Sequence, residues 1–325
     1  MTKRQLRLFE TAPVTMAARV RAVVPDDALI ATAQRLPPTL RLGATGWTTP
    51  RWDGWVWEQA RSSGVLAREG IGPYAKHPLL RTVFVDGALG LARDSDALAR
   101  LASATPETFR FVVGADPALL WGRFPNRGGE GAPADNPLFF DPAAMVQRCV
   151  APFIDGLGER GGVLLLRVPS QDARALGSRR TFPQRLHRLL RALPAGPRYA
   201  VELRDHKLLS TEYADVLADC NAIHCMSLHP SMPSLEKQAE VTRPLEANTV
   251  VAVWSMCLHF DYRVARGNYA PYNAIVDRDT GARAALVSLL RQANELRKDA
   301  FVLVDNMAEG CAPASIAELA ETLAN

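Results

Sequence analysis

Hydrophobic and polar residues alternate with a strand-like period in eight short stretches of this chain. Side chains on a strand point to opposite faces in turn, and a strand buried on both faces reads as a short apolar run. Eight parallel strands are the number that a closed α/β barrel requires. The predicted strands are residues 40–47, 80–87, 109–115, 162–168, 198–204, 222–229, 249–255 and 300–306.

Longer segments with helical period or composition lie between these strands. They are residues 95–103, 142–158, 181–193, 210–220, 282–298 and 313–323. Strands that alternate with helices imply crossover connections and a parallel sheet. The pattern therefore predicts an α/β fold, a TIM-barrel-like (β/α)8 parallel barrel, over residues 40–325.

Three segments do not follow the alternation. Residues 1–39 contain a basic start, several prolines and a helical patch at 26–35, and we interpret them as an N-terminal extension. Residues 116–140 and 256–281 are predicted long loops after the third and seventh strands. In a barrel of this kind such loops lie over the C-terminal face, where they form lids or binding walls.

Composition and charge narrow the class of protein. The 325 residues are 48% hydrophobic and 22% charged, as in ordinary globular proteins, and the net charge of +4 gives no general reason to expect a nucleic-acid or membrane partner. Five cysteines without a Cys-x-x-Cys pair favour free thiols over disulfides or a zinc knuckle. With no long apolar run either, the sequence predicts a cytoplasmic protein.

The fifth predicted strand carries the strongest chemical signal. In the stretch Tyr199–His206, Glu202 and Arg204 share one face with Ala200. Burying either charge alone would cost several kcal/mol, so we expect the two to lie together at the polar mouth of the barrel. Catalytic groups of this fold come from strand C-termini, and we interpret Glu202 as an acid/base and Arg204 as an anion clamp. A structural ion pair that closes the barrel end is the alternative.

Six further residues at strand ends are predicted to bind substrate: Trp47, Asp86, Arg167, His229, Asp305 and Asn306. Each has a structural alternative. Asp86 and Arg167 would form an interior ion pair, and Asp305-Asn306 would form a turn. His229 would be a structural hydrogen-bonding residue, and Trp47 would pack a loop onto the barrel.

Two other site types remain open from the residues alone. A metal site could be assembled from Asp86, Glu202, His229 and Asp305, although no short-spaced ligand motif supports one and we assign no metal ligands. A basic stretch around the fourth helix could contact phosphates, but it is also typical of a solvated helix face. Its members are Arg174, Arg179, Arg180, Arg185, Arg188, Arg191 and Arg198.

Dinucleotide, Walker, nucleophile-elbow and His-Glu-x-x-His motifs do not occur in the sequence. Dehydrogenase, P-loop and serine hydrolase functions therefore lose their usual support, and the cofactor stays unknown.

Several motifs resemble the domain-of-unknown-function family 72 (YecE-like) proteins. They are Gly43–Gly54, Ala104–Val113, Leu157–Pro169, Val201–Arg204 and the terminal Asp305-Asn306. The resemblance implies a TIM-barrel-like fold and no established reaction. This chain departs from the family pattern in its second, third, fourth, seventh and eighth strands, for example at Gly114 in place of a lysine and at Arg167 in place of a glutamine.

The sequence thus predicts a barrel with a pocket for a small anionic molecule, phosphorylated or carboxylated. Lyase, isomerase or hydrolase chemistry is one interpretation, and a non-catalytic ligand-binding or protein-interaction barrel is the other. Nucleic-acid processing is a third and weaker possibility. Whether the protein is an enzyme, and its oligomeric state, stay open.

Overall fold

The computed structural model describes residues 19–123, 134–171, 173–176, 181–256 and 262–325. Eight parallel strands form one closed barrel in sequence order, with the first strand paired to the eighth. The strands are β1 (Leu40–Ala44), β2 (Leu80–Val85), β3 (Arg110–Gly114), β4 (Gly161–Val168), β5 (Tyr199–Leu203), β6 (Ile223–Leu228), β7 (Thr249–Trp254) and β8 (Asp299–Val304). The predicted TIM-barrel-like fold is confirmed, and each strand falls within one residue of its predicted start.

Helices surround the barrel. They are α1 (Asp27–Arg35), α2 (Ser63–Glu69), α3 (Ile71–Ala75), α4 (Ser95–Ser103), α5 (Pro142–Met145), α6 (Ala151–Leu157), α7 (Ala173–Leu176), α8 (Thr181–Ala192), α9 (Thr211–Asp219), α10 (Leu235–Thr242), α11 (Tyr262–Tyr269), α12 (Thr280–Glu295), α13 (Asn306–Glu309) and α14 (Ala312–Ala324). All six predicted helices are present, the second one as α5 and α6 joined by a π-helical turn. No helix within the described ranges combines the length and the apolar character that crossing a membrane requires.

The segment 256–281 is a correction to the sequence analysis, because α11 lies within what was predicted to be a loop. Its eight residues include two arginines, a glycine and an asparagine and no continuous apolar stripe, which hides the helical period. Ala265 and Tyr269 are its buried side, and they pack with Met256 and Met307 beside the C-terminal end of the barrel.

Residues 19–39 lie against the barrel in the structure. α1 lies within the predicted helical patch and begins after Asp26, whose Oδ1 accepts a hydrogen bond from the Leu29 amide at 2.7 Å, and it packs on α14. Arg81 on β2 donates to the backbone oxygens of Ala33 (2.6 Å) and Pro37 (2.9 Å). These bonds connect the segment directly to a barrel strand.

The barrel interior is apolar along most of its length. Its buried side chains are separate from the larger core between strands and helices, and they are Phe84, Val112, Val163, Leu165, Ala200, Ile223, Cys225, Val251, Val253, Phe301 and Leu303. A Cβ at Gly114 would lie 2.8 Å from the Phe84 ring, so this glycine makes room for the ring. Charged side chains therefore occupy the two ends of the barrel and not its middle.

Candidate functional site

Glu202 on β5 is the centre of a charged group at the C-terminal mouth of the barrel. Its side chain is fully buried. Glu202 Oε2 accepts a hydrogen bond from Arg167 Nε at 2.6 Å, and Arg204 Nη2 lies 2.6 Å from Oε1. Ser227 Oγ on β6 donates to Oε1 at 3.3 Å. We call Glu202, Arg167, Arg204, Ser227 and Ser255, which binds Arg204, the mouth cluster.

Strand geometry explains why these residues meet. Arg167 and Glu202 are paired in register between β4 and β5. Glu202 and Ala200 share one face of β5, and Ala200 belongs to the apolar interior, so Glu202 faces into the barrel one layer closer to the mouth. The predicted neighbourhood of Glu202 and Arg204 is present, with Arg167 as a third member.

The mouth cluster keeps Glu202 ionised. Burial alone would raise the pKa of this carboxyl, but the charges of Arg167 and Arg204 and the hydrogen bonds from Arg167 and Ser227 outweigh burial and lower the pKa. Burial also opposes the charge of Arg167, but Glu202 outweighs it and raises the pKa of Arg167. A carboxylate held in this way accepts a proton reluctantly, which does not favour an acid/base role for Glu202.

The two arginines retain donors that the cluster does not use. Arg167 is one-third exposed, and its guanidinium lies 4.8 Å from the centre of the Phe84 ring. Arg204 Nη2 donates to Ser255 Oγ at 2.8 Å. Within the described residues, no acceptor binds Nη1 or Nη2 of Arg167, nor Nε or Nη1 of Arg204. These N–H groups can meet a ligand.

Asp86 lies at the exposed end of β2 and does not pair with Arg167. Its Oδ1 accepts a hydrogen bond from the Ala88 amide at 2.9 Å, which makes it a turn residue. The interior Asp86–Arg167 pair considered from the sequence is replaced by the Arg167–Glu202 pair. Asp86 nevertheless contributes to raising the pKa of Arg167, so its charge acts at the mouth.

His229 follows β6 and is half-buried. Its Nδ1 accepts the Ser231 amide at 3.1 Å and lies 2.8 Å from Ser231 Oγ. Burial and the nearby charge of Arg204 lower the pKa of His229 to about 4. Because Nδ1 is an acceptor, the neutral ring carries its proton on Nε2. His229 is therefore a neutral hydrogen-bond donor beside the mouth cluster.

Asp305 and Asn306 follow β8, and the structure gives both of them protein partners. Asp305 accepts from the Met307 amide at 2.9 Å and from the Thr45 hydroxyl. Asn306 Oδ1 accepts from Trp52 Nε1 (3.0 Å) and the Ala312 amide (2.9 Å). Asn306 thus fastens the tryptophan loop, which leaves little capacity for a ligand, and Asp305 is the half-buried acid nearer to the mouth.

Trp47 is buried, and this corrects its predicted exposure to substrate. Only 3% of its surface is accessible, and its Nε1 donates to the Leu66 oxygen at 3.1 Å. Trp52 and Trp57 are buried beside it in the same way. Trp55 is the one exposed member of the run, and its Nε1 binds the Asn273 oxygen at 3.0 Å. The run packs a loop onto its own barrel, as the structural alternative holds.

Two alternatives from the sequence gain no support. Asp86, Glu202, His229 and Asp305 do not form a group of donors at metal-ligand spacing among the described residues. In the basic stretch, Arg198 pairs with Asp299 at 3.0 Å and Arg185 lies 5.9 Å from the Phe139 ring. Arg179, Arg180 and the side chain of Arg174 lie outside the described residues.

Sequence reasoning missed three contributors to the mouth: Ser227, Ser255 and Phe84. Ser227 and Ser255 share the interior face with Cys225 and Val253. Extending the apolar alternation of β6 and β7 to its first polar residue would have found both. Phe84 could not be recognised from the sequence, because its contribution depends on its contact with the Arg167 guanidinium.

Comparison with known proteins places the chain in a family. A DUF72 family protein from Enterococcus faecalis V583 is similar in structure, with a TM-score of 0.59 and 17% identity over 88% of this chain and 95% of that one. A DUF72 family protein from Thermotoga maritima MSB8 has a TM-score of 0.52 and 14% identity over 87% of this chain and 97% of that one. None of the curated proteins compared with the chain matches it significantly in sequence. Since the family model "Protein of unknown function DUF72" matches residues 41–325, the chain belongs to the DUF72 family, whose YecE-like members its motifs resemble.

Proposed function

We propose that this protein binds a small anionic polyol, such as a sugar acid or a sugar phosphate, at the C-terminal mouth of its barrel. The observation that carries the proposal is the sharing of one buried carboxylate by two arginines. Two guanidinium groups and one carboxylate leave one net positive charge. The unused N–H groups of the arginines suit a carboxylate or phosphate, which accepts paired hydrogen bonds.

The surroundings favour a polyol over a simple anion. Asp86 and Asp305, whose charges act on the two arginines, would make no favourable contact with an inorganic anion. Their oxygens can instead accept hydrogen bonds from hydroxyl groups. His229 offers a neutral donor from Nε2. A ligand with an anionic end and several hydroxyl groups satisfies the two arginines, the two aspartates and His229.

The test is calorimetric titration of the full chain with four probes: gluconate, glucose 6-phosphate, glucose and inorganic phosphate. We expect one of the first two to bind more tightly than glucose and phosphate. Arg167→Lys keeps the charge beside Glu202 but removes the planar fork, and we expect it to weaken binding by about tenfold. Arg41→Lys, at the opposite end of the barrel, is the matched control and should leave binding unchanged.

Two results would overturn the proposal. One is equal affinity for charged and neutral probes. The other is an Arg167→Lys protein that binds as tightly as the wild type.

Catalysis at the same mouth is the second candidate, and His229 is the observation that favours it. A neutral histidine fixed by Ser231 at Nδ1 can donate a hydrogen bond from Nε2 to a substrate oxygen and stabilise negative charge that develops there. This would support lyase, isomerase or hydrolase chemistry without proton transfer by Glu202. If a bound probe is converted, His229→Gln should abolish turnover and retain binding. Turnover that survives in His229→Gln would reject this assignment.

A further inference from the structure

A second chemical group lies outside the barrel, where α8 packs against the C-terminal end of α9. It consists of His187 on α8, Asp219 at the end of α9 and Cys220 directly after it. One donor atom from each lies within 4.8 Å of the others, and His187 Nε2 is 2.8 Å from Asp219 Oδ2. In the part of the chain that the structure describes, this is the one group of three such donors at that spacing.

The donor set fits a borderline-soft divalent cation. Zn²⁺ binds imidazole nitrogen, thiolate sulfur and carboxylate oxygen at about 2.0–2.3 Å, which places tetrahedral ligands roughly 3.3–3.8 Å apart. The donor atoms need to shift by about 1.5 Å at most to reach that spacing, since the His187–Asp219 pair at 2.8 Å opens slightly while wider pairs, up to 4.8 Å, close. His187 and Asp219 are 40% and 60% exposed, so their side chains are free to rotate. We propose that His187, Asp219 and Cys220 form a surface site for Zn²⁺, with water as the fourth ligand.

Local electrostatics support the cation. The C-terminal end of a helix carries partial negative charge, and Asp219 is the last residue of α9. Asp219 and a Cys220 thiolate together balance the charge of Zn²⁺. The thiol is half-buried and gives its proton to the buffer when the sulfur coordinates the metal. Arg191 lies one helical turn after His187 and opposes the cation, but it is exposed and can move away.

An ordinary ion pair between two helices is the competing explanation for His187 and Asp219. Such a pair would not involve the sulfur atom. The presence or absence of a metal–sulfur bond therefore separates the two explanations.

The experiment uses tag-free full-length protein with its thiols reduced. Zn²⁺ binding is measured by calorimetry, and Co²⁺ is used as a spectroscopic substitute that gives a thiolate-to-metal charge-transfer band. We expect one equivalent of metal and the band in the wild type. Cys220→Ser should lose the band, and Cys220→Ser and His187→Gln should each weaken Zn²⁺ binding by about tenfold or more. Asp215→Asn removes another exposed carboxylate of α9 and should change nothing.

Thermal unfolding of the metal-free variants will show that they fold as the wild type does, since none of the replaced side chains is fully buried. A wild type that takes up no Zn²⁺ overturns the proposal. So does a charge-transfer band that persists in Cys220→Ser, or metal binding that His229→Gln abolishes and Cys220→Ser does not.

Discussion

The two ends of the barrel contain the same charged groups in different surroundings. At the mouth, Glu202 lies between two arginines. At the N-terminal end, Asp299 lies 3.0 Å from Arg41 and 3.0 Å from Arg198, and we call these three residues the base cluster. Each end also has an arginine over an aromatic ring, because Arg41 lies 5.1 Å from the Phe301 ring as Arg167 does over Phe84. Composition alone does not distinguish the two ends.

The two ends differ in how far their charged side chains are exposed to solvent. Glu202 is fully buried, whereas 23% of the Asp299 side chain and 44% of the Arg198 side chain are exposed. Arg41 also donates a hydrogen bond to the Thr39 backbone oxygen at 3.2 Å, so one of its N–H groups already binds the chain just before β1. A solvated ion pair contributes little to stability, and a buried one fixes its partners firmly. The mouth cluster is therefore the end at which burial of the carboxylate fixes the arginines more firmly.

The largest expected effect comes from removing the central carboxylate at each end. Glu202→Gln leaves two arginines facing a buried neutral group, and we expect it to lower the free energy of unfolding by about 3–5 kcal/mol. Asp299→Asn should lower it by about 1 kcal/mol or less, because water replaces the lost partner. Urea unfolding of both variants at neutral pH measures the difference. Equal losses at the two ends would break the comparison.

The fold could be predicted from the sequence because barrel strands are buried on both faces. Runs such as Val163–Leu166 and Val250–Val253 contain only buried apolar residues, which makes them easy to recognise as strands. Helix α11 could not be predicted in this way. It buries only Ala265 and Tyr269, and its other residues are mostly polar, as in a loop.

The site could be predicted in part. Alternation along one strand placed Glu202 and Arg204 together, and strand-end position added Arg167. Position alone does not tell which strand-end polar groups face a ligand and which bind their own loop. Asn306 and Trp47 are residues of types common in binding sites, but both bind the protein itself. Asn306 accepts a hydrogen bond from Trp52, and Trp47 donates one to the Leu66 oxygen. Such assignments depend on contacts between residues far apart in the chain.

Acid should destabilise the fold in two stages. Burial lowers the pKa of His224, on β6, from 6.5 to about 4. The unfolded chain therefore binds this proton first, and stability falls as the pH decreases from 6.5 to 4, by about 3 kcal/mol from His224. Glu202 has a lowered pKa, so its contribution is present above the unfolded value of 4.5 and is lost at lower pH.

The measurement is the free energy of unfolding at several pH values between 4 and 7. His224→Asn should reduce the slope of stability against pH by about one proton, whatever its effect on stability itself. His77 and His229, whose pKa values are also lowered to about 4, account for the slope that remains. An unchanged slope in His224→Asn would show that this histidine is not kept neutral by burial.

A smaller effect is expected from the loop that covers β1 at the mouth. Asn306→Ala removes the acceptor of Trp52 Nε1 and the donor to Thr49 Oγ1 (3.1 Å), and we expect a loss of about 1–2 kcal/mol. Tryptophan fluorescence should shift to longer wavelength as the loop loosens. Asn248→Ala, at an exposed position just before β7, is the control at the base and should cost about 0.5 kcal/mol or less. A fluorescence change in the control alone would contradict the assignment of Asn306.

The smallest and most specific effect concerns His229, which reports the charge at the mouth. Burial and Arg204 lower its pKa to about 4, while Glu202 acts in the opposite direction. Arg204→Gln removes a repulsive positive charge, so the pKa of His229 should rise, whereas Arg198→Gln in the base cluster should leave it unchanged. NMR titration of the imidazole protons follows both variants. If the pKa of His229 stays constant in Arg204→Gln, the Arg204 charge is screened by water, and the mouth would then be as solvated as the base and lose its advantage as an anion site.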